Sequence, residues 1–242
     1  MNKQTLGILV ASVLASASVT AAPVANLKIN GDIKPPTCTV NGGDQADLVY
    51  NLGAVSPSVI PQSKGYNGLP ALSNKLTVTC DAATYLTFKA TDTYQNPLIQ
   101  APWMAPNLKT INFNLVDANS PEKTVGGVSY VWTKPTADGK TVSISRANDG
   151  VEDDGVWAGA TIMVKDATNG WTTNQQKYVA PAELELVSAK VFSANIVNSA
   201  VTHSGLQDTY LLSKDELVKQ GVDLSEGLDY TGNTMLTFNF GV

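Results

Sequence analysis

Leu76-Thr77-Val78-Thr79-Cys80 alternates apolar and polar side chains with a period of two, and that period decides the fold. Consecutive side chains of an extended chain point to opposite faces, so Leu76, Val78 and Cys80 share one face while Thr77 and Thr79 share the other. The pattern returns at Leu86/Phe88, Ile111/Phe113/Leu115, Val128/Tyr130/Trp132, Val142/Ile144 and Ile162/Val164, each reading as a half-buried strand. Turn signals stand between them at Asp81-Ala-Ala, Asn119-Ser-Pro121, Gly126-Gly127, Ala137-Asp-Gly139, Asn148-Asp-Gly150 and Thr168-Asn-Gly170. The expectation is an all-β antiparallel sandwich. One short helix interrupts it, with Ser213 as N-cap, Glu216 completing a capping box and Gly221 ending the helix. The Ser-, Pro- and Gly-rich stretch from Ser56 to Pro70 reads as a surface loop.

Composition narrows the chemistry. The 242 residues carry 16 Lys+Arg against 21 Asp+Glu, a net charge of −5. There is no basic excess to neutralise phosphates, so nucleic acid is not an expected partner. Two cysteines and a single histidine cannot make the usual four-ligand structural zinc site or a histidine-based acid–base pair. No metal or cofactor is expected, and no enzyme. His203 beside Ser204 invites a hydrolase reading, but no G-x-S-x-G elbow accompanies it. Asn148 to Gly155 gathers four carboxylates without the alternating order of a calcium loop, and reads as a solvated turn.

The N-terminus sets the compartment. Lys3, an apolar run from Thr5 to Val19 and then Thr20, Ala21 and Ala22 have the order of a secretory signal peptide. The run falls short of the roughly 20 residues a bilayer span requires. Cleavage after Ala21 is expected, making residues 1–21 the signal peptide and the remainder an exported chain. In an oxidising compartment the lone pair Cys38 and Cys80, 42 positions apart, is expected to form a disulfide.

Both ends of the exported chain are informative. Leu27, Ile29, Gly31 and Ile33 fall on one face of an alternating arm, with Lys28, Asn30, Asp32 and Lys34 on the other. Pro35 and Pro36 cannot donate to a ladder and hinge this arm from the rest of the chain. Either the arm is the first strand of its own sheet, or it serves another molecule. At the C-terminus Leu236, Phe238, Phe240 and Val242 alternate with Thr237, Asn239 and Gly241. Termini usually fray, so a final strand this apolar must be covered by its own sandwich or by another chain.

Together, the signal peptide, the glycine-bearing arm before Cys38-Thr39-Val40, the second cysteine in Leu76-Thr-Val-Thr-Cys80 and the alternating C-terminus resemble the pilus subunits of the chaperone-usher pathway of Gram-negative bacteria. Within that group the chain is most similar to the larger GltF-like fimbrial and periplasmic proteins. The resemblance covers roughly the first 90 and last 15 residues. It implies an immunoglobulin-like sandwich lacking its last strand, with residues 22–37 as a donor-strand extension and residues 38–242 as the pilin-like domain. Leu27, Ile29, Gly31 and Ile33 would be the donor positions, Gly31 fitting where backbone must approach closely. Leu236, Phe238, Phe240 and Val242 would face the groove and the chaperone. The family usually has a tyrosine one residue before the end; Gly241 stands there, so that contact would rest on Phe238, Phe240 and the Val242 carboxylate. The implied function is a structural fimbrial subunit, polymerising by donor-strand exchange and contributing to adhesion. Its implied partners are a periplasmic chaperone, an outer-membrane usher and identical or related subunits, with periplasmic transit and a final place at the cell surface. The alternative is a self-complete secreted sandwich binding a glycan through Trp103, Trp132, Trp157, Trp171, Tyr66, Tyr94 or Tyr178.

Overall fold

A computed structural model describes residue 25 and residues 27–151, 155–199, 201–203, 206–225 and 227–241. The expected signal peptide and Val242 lie outside the described residues. The chain divides into two units between Pro35 and Pro36. In the first unit, residues 27–35 form no strand, and Leu27, Ile29 and Ile33 are fully exposed.

The second unit is an all-β body whose sheets curl into a sandwich. Its strands are β1 (Cys38–Val40), β2 (Ser73–Asp92), β3 (Phe113–Asp117), β4 (Ser120–Val128), β5 (Tyr130–Ala137), β6 (Lys140–Thr141), β7 (Ser143–Arg146), β8 (Asn169–Thr172), β9 (Ser188–Asn198), β10 (Thr202–His203), β11 (Leu206–Gln207), β12 (Tyr210–Leu211), β13 (Tyr230–Thr231) and β14 (Thr234–Phe240). Helix α1 (Lys214–Lys219) lies between β12 and β13.

β2 organises the body because its two halves belong to two ladders. Residues 73–79 pair antiparallel with β9, and Val78–Cys80 pair with β1. Past a register shift between Thr79 and Thr84, residues 86–92 pair with β14, while Thr87 and Phe88 pair with β8. β5 and β6 extend the first ladder beyond β9, and β7 extends the second beyond β8. A separate sheet runs β12-β4-β3-β13. Aromatic packing binds the ladders: the Trp171 ring lies 5.5 Å from Phe88 and 5.4 Å from Phe192, joining β8, β2 and β9. Asp92 ties β2 to β3, accepting from Asn114 N at 2.7 Å and Asn114 Nδ2 at 3.0 Å, and burial pushes its carboxyl up.

Several expected elements differ in the folded chain. Gly126-Gly127 is no turn but the interior of β4: a Cβ at Gly126 would overlap the Tyr210 carbonyl, and one at Gly127 would meet the Tyr210 hydroxyl at 2.9 Å. Glycine is used there for close approach of β12, not for a bend. Asn169-Gly170 likewise belongs to β8, where Leu186 occupies the space a side chain at Gly170 would need. Ile162 and Val164 are buried but form no strand; Ile162 makes one isolated bridge to Val131. The 11-residue β9 is a central strand that no turn signal in the sequence brackets. The helix starts where its cap requires, with Ser213 Oγ accepting from Glu216 N at 3.3 Å, and Gly221 follows it at φ +69°.

The disulfide Cys38–Cys80 is formed. Closing a loop of 42 positions restrains the unfolded chain, so replacing both cysteines by alanine lowers stability by about 4 kcal/mol, read as a fall in the urea midpoint. A second test concerns Asp149, which accepts from Thr168 N and Thr168 Oγ1 at 2.7 Å and from Lys89 Nζ at 2.9 Å. Burial pushes its carboxyl up, but the Thr168 N–H, Lys89 and the Thr168 hydroxyl outweigh it and hold the pKa below the ordinary 3.8. Its stabilisation is therefore present above that value and lost as pH falls through the depressed pKa. Asp149→Asn is expected to cost about 1–3 kcal/mol at neutral pH and progressively less toward pH ~2, measured by denaturation across that range.

Candidate functional site: an open cleft beside the last strand

β14 pairs with β2 at seven consecutive positions, from Thr234 opposite Asp92 to Phe240 opposite Leu86. Its other edge has no strand pairing among the described residues. Burial of its apolar face is incomplete among the described residues. Phe238 packs on Phe88 with ring centroids 5.9 Å apart and is half-buried, as is Leu236, while Phe240 remains 50% exposed. An unpaired edge beside half-buried aromatic side chains is a feature that soluble folds ordinarily cover.

Facing β14 is a second extended segment. β1 reverses at Asn41-Gly42, where Val40 pairs with Gly43, and the chain returns through residues 44–56 without entering a sheet. Leu48, Tyr50 and Leu52 turn inward and are half-buried, while Val49 is 74% exposed, so this rim alternates as a strand would. Asn74 Nδ2 donates to Val49 O at 2.9 Å, and Tyr50 Oη donates to Ile196 O at 2.9 Å, anchoring the rim to β2 and β9.

Between rim and strand lies a cleft of about 1310 Å³. Leu76, Val78, Leu86, Val128 and Ile196 line it, and all are core residues; Leu236, Phe238, Phe240, Cys38 and Val40 line it as well. Hydroxyls line it too: Tyr50 and Tyr130 pack with centroids 5.6 Å apart, and Tyr230 and Thr234 also line the cleft. Burial pushes all three tyrosine phenols up, so they remain neutral hydroxyls. The Tyr230 hydroxyl is buried without a hydrogen-bond partner among the described residues. The cleft thus combines apolar surface, a backbone edge unpaired among the described residues, neutral hydroxyls and the exposed carboxylates of Asp44, Asp47 and Asp229. Its apolar surface and backbone edge suit an extended peptide.

Among the other residues singled out in the sequence, Trp132, Trp157 and Trp171 are buried and present no face for stacking, with Trp157 Nε1 donating to Thr110 Oγ1 at 2.9 Å. Trp103 is half-buried and packs edge-on against Tyr210. Part of the carboxylate-rich loop, residues 152–154, lies outside the described residues. The rim is the part of the site that the sequence reading misses, although Leu48/Tyr50/Leu52 carries the same period of two as the strands. No family model and no curated protein matches the chain.

An uncovered cleft lined by core residues should bind the apolar dye ANS under native conditions, seen as a rise in its fluorescence at unchanged far-UV circular dichroism. Since Phe238 is only half-covered, Phe238→Ala should cost about 1–3 kcal/mol in urea denaturation, below the ~3–5 kcal/mol of a fully buried aromatic.

Proposed function

We propose that this chain is an exported structural subunit of a chaperone-usher fimbria, polymerising by donor-strand exchange and contributing to cell adhesion. The observation that carries this reading is the open cleft along the unpaired edge of β14. On this reading the body is an immunoglobulin-like sandwich short of its last strand. A periplasmic chaperone first lends that strand, the usher releases the subunit outward, and the arm of a neighbouring subunit takes the chaperone's place. Chaperone–pilin complementation is an established case of strand addition, in which main-chain hydrogen bonds supply affinity and side-chain pockets supply specificity.

The energetics favour such an exchange. Leu27, Ile29 and Ile33 are fully exposed in the arm, and burying each in an apolar cleft is worth about 1.5–3 kcal/mol. Each ladder hydrogen bond adds roughly 0.5–1.5 kcal/mol net. β14 and the rim could both pair with an inserted strand, one on each side. Leu236, Phe238 and Phe240 would then be covered, with Val242 following two residues later in the sequence.

Deleting residues 22–34 should leave chaperone binding intact and abolish incorporation into fibres. Co-purification with the chaperone and electron microscopy of assembled fibres measure the two effects; a truncated chain that still polymerises would refute the donor role of the arm.

A further inference from the structure

Asn–Gly occurs four times in the chain, at residues 30–31, 41–42, 67–68 and 169–170. The step is chemically labile wherever the backbone can bend. The following backbone nitrogen attacks the asparagine carboxamide carbon, and glycine has no Cβ to hinder the approach. Attack closes a five-membered ring, so the chain must leave the geometry that a ladder or a tethered turn enforces. The fold therefore decides which of the four steps can react.

Three of them are held. Asn169 is fully buried in β8, its Nδ2 donating to Ala167 O at 2.9 Å, with Gly170 in register with Thr87 and Ser145. Asn41 is exposed but tethered. Its backbone N donates to Thr77 O at 2.8 Å, its Oδ1 accepts from Thr77 N at 2.8 Å and its Nδ2 donates to Lys75 O at 3.2 Å. Asn67 is half-buried, next to Tyr66, which bridges to Leu211. Asn30 differs from all three. It and Gly31 are exposed, lie in no strand and make no hydrogen bond among the described residues, and a Cβ at Gly31 would meet open space.

We propose that Asn30–Gly31 is a self-modification site, at which Asn30 converts to aspartyl and isoaspartyl forms. Solvent hydroxide removes the Gly31 amide proton, and the nitrogen bonds to Asn30 Cγ. The Cγ–Nδ2 bond breaks, and Nδ2 takes a proton from water and leaves as ammonia. Water then opens the cyclic imide. Breaking the bond from Cγ to the Gly31 nitrogen leaves aspartate, whereas breaking the bond from the backbone carbonyl carbon leaves isoaspartate, with the chain routed through Cβ and Cγ. Water and its hydroxide are the only co-reactants.

Both products change the arm irreversibly. Residues 27–34 pass from two lysines against one aspartate to two lysines against two carboxylates, and so lose their positive charge. The isoaspartyl form also adds one backbone atom between Ile29 and Ile33, which breaks the alternation that places them on one face. The chemistry depends on the exposure of the free arm and not on the donor-strand reading.

The test takes the chain expressed from its full coding sequence, purified folded and incubated at mildly alkaline and mildly acidic pH. Peptide mapping by mass spectrometry reads the conversion of carboxamide to carboxylate at each asparagine, and electron-transfer fragmentation separates aspartate from isoaspartate. Asn30 should convert about tenfold or more faster than Asn41, Asn67 or Asn169, and faster at alkaline pH, with a matching acidic shift in isoelectric focusing. Gly31→Val should slow conversion at Asn30 about tenfold and leave the other three unchanged, because a β-branched side chain crowds the attacking nitrogen. Unfolding in urea with the disulfide reduced should raise Asn41 and Asn169 to the rate of Asn30. Asn41 or Asn169 converting as fast as Asn30 in the folded chain, Gly31→Val converting at the wild-type rate, or Asn41 and Asn169 staying slow in urea would each overturn the assignment. All three results would leave strand exchange standing.

Discussion

The contact of Phe238 with Phe88 is the one on which the rest of the structure turns. It extends the aromatic packing of Trp171 and Phe192 to the last strand, where the Phe238 ring is only half-buried. The same cluster that holds β2, β8 and β9 together opens here into a cleft. Hydrophobic burial that holds the body together and the apolar surface of the cleft are therefore parts of one continuous cluster. Leu236 and Phe238 pack on the core and also line the cleft, so a change at either alters stability and cleft surface together.

The two walls of the cleft differ in how they are held. β14 is paired with β2 at every residue, whereas the rim of residues 44–56 depends on single anchors from Asn74 and Tyr50. Segments with few backbone partners open at lower free-energy cost than ladder strands. An entering strand would thus meet one fixed edge that sets register and one adaptable edge that can close on it.

Much of the fold was legible wherever the period of two coincided with ordinary side-chain chemistry. Leu76 to Cys80 is the heart of β2, the cysteines are bonded, and Ser213 caps the helix. Reading failed where glycine served packing instead of bending. Gly126, Gly127 and Gly170 look like turns because a sequence does not show that Tyr210 or Leu186 will press against them. Ile162 and Val164 failed for the opposite reason: they are buried as a strand would bury them, yet the chain there carries isolated contacts and no ladder. Of the cleft, the wall formed by Leu236, Phe238 and Phe240 could be anticipated from its alternation. The opposite wall was obscured because its half-buried Leu48, Tyr50 and Leu52 lie in a segment flanked by Gly43 and Gly53 and joined to no sheet.

The position of the disulfide has a mechanical consequence. Cys38 is the third residue after Pro35, and Thr37 already exchanges hydrogen bonds with Asp81, so a pull entering along the N-terminal arm reaches a covalent cross-link almost at once. From Cys80 the load passes into the longest strand of the body, which spreads it over both ladders. The loosely anchored residues 44–56 lie off this path.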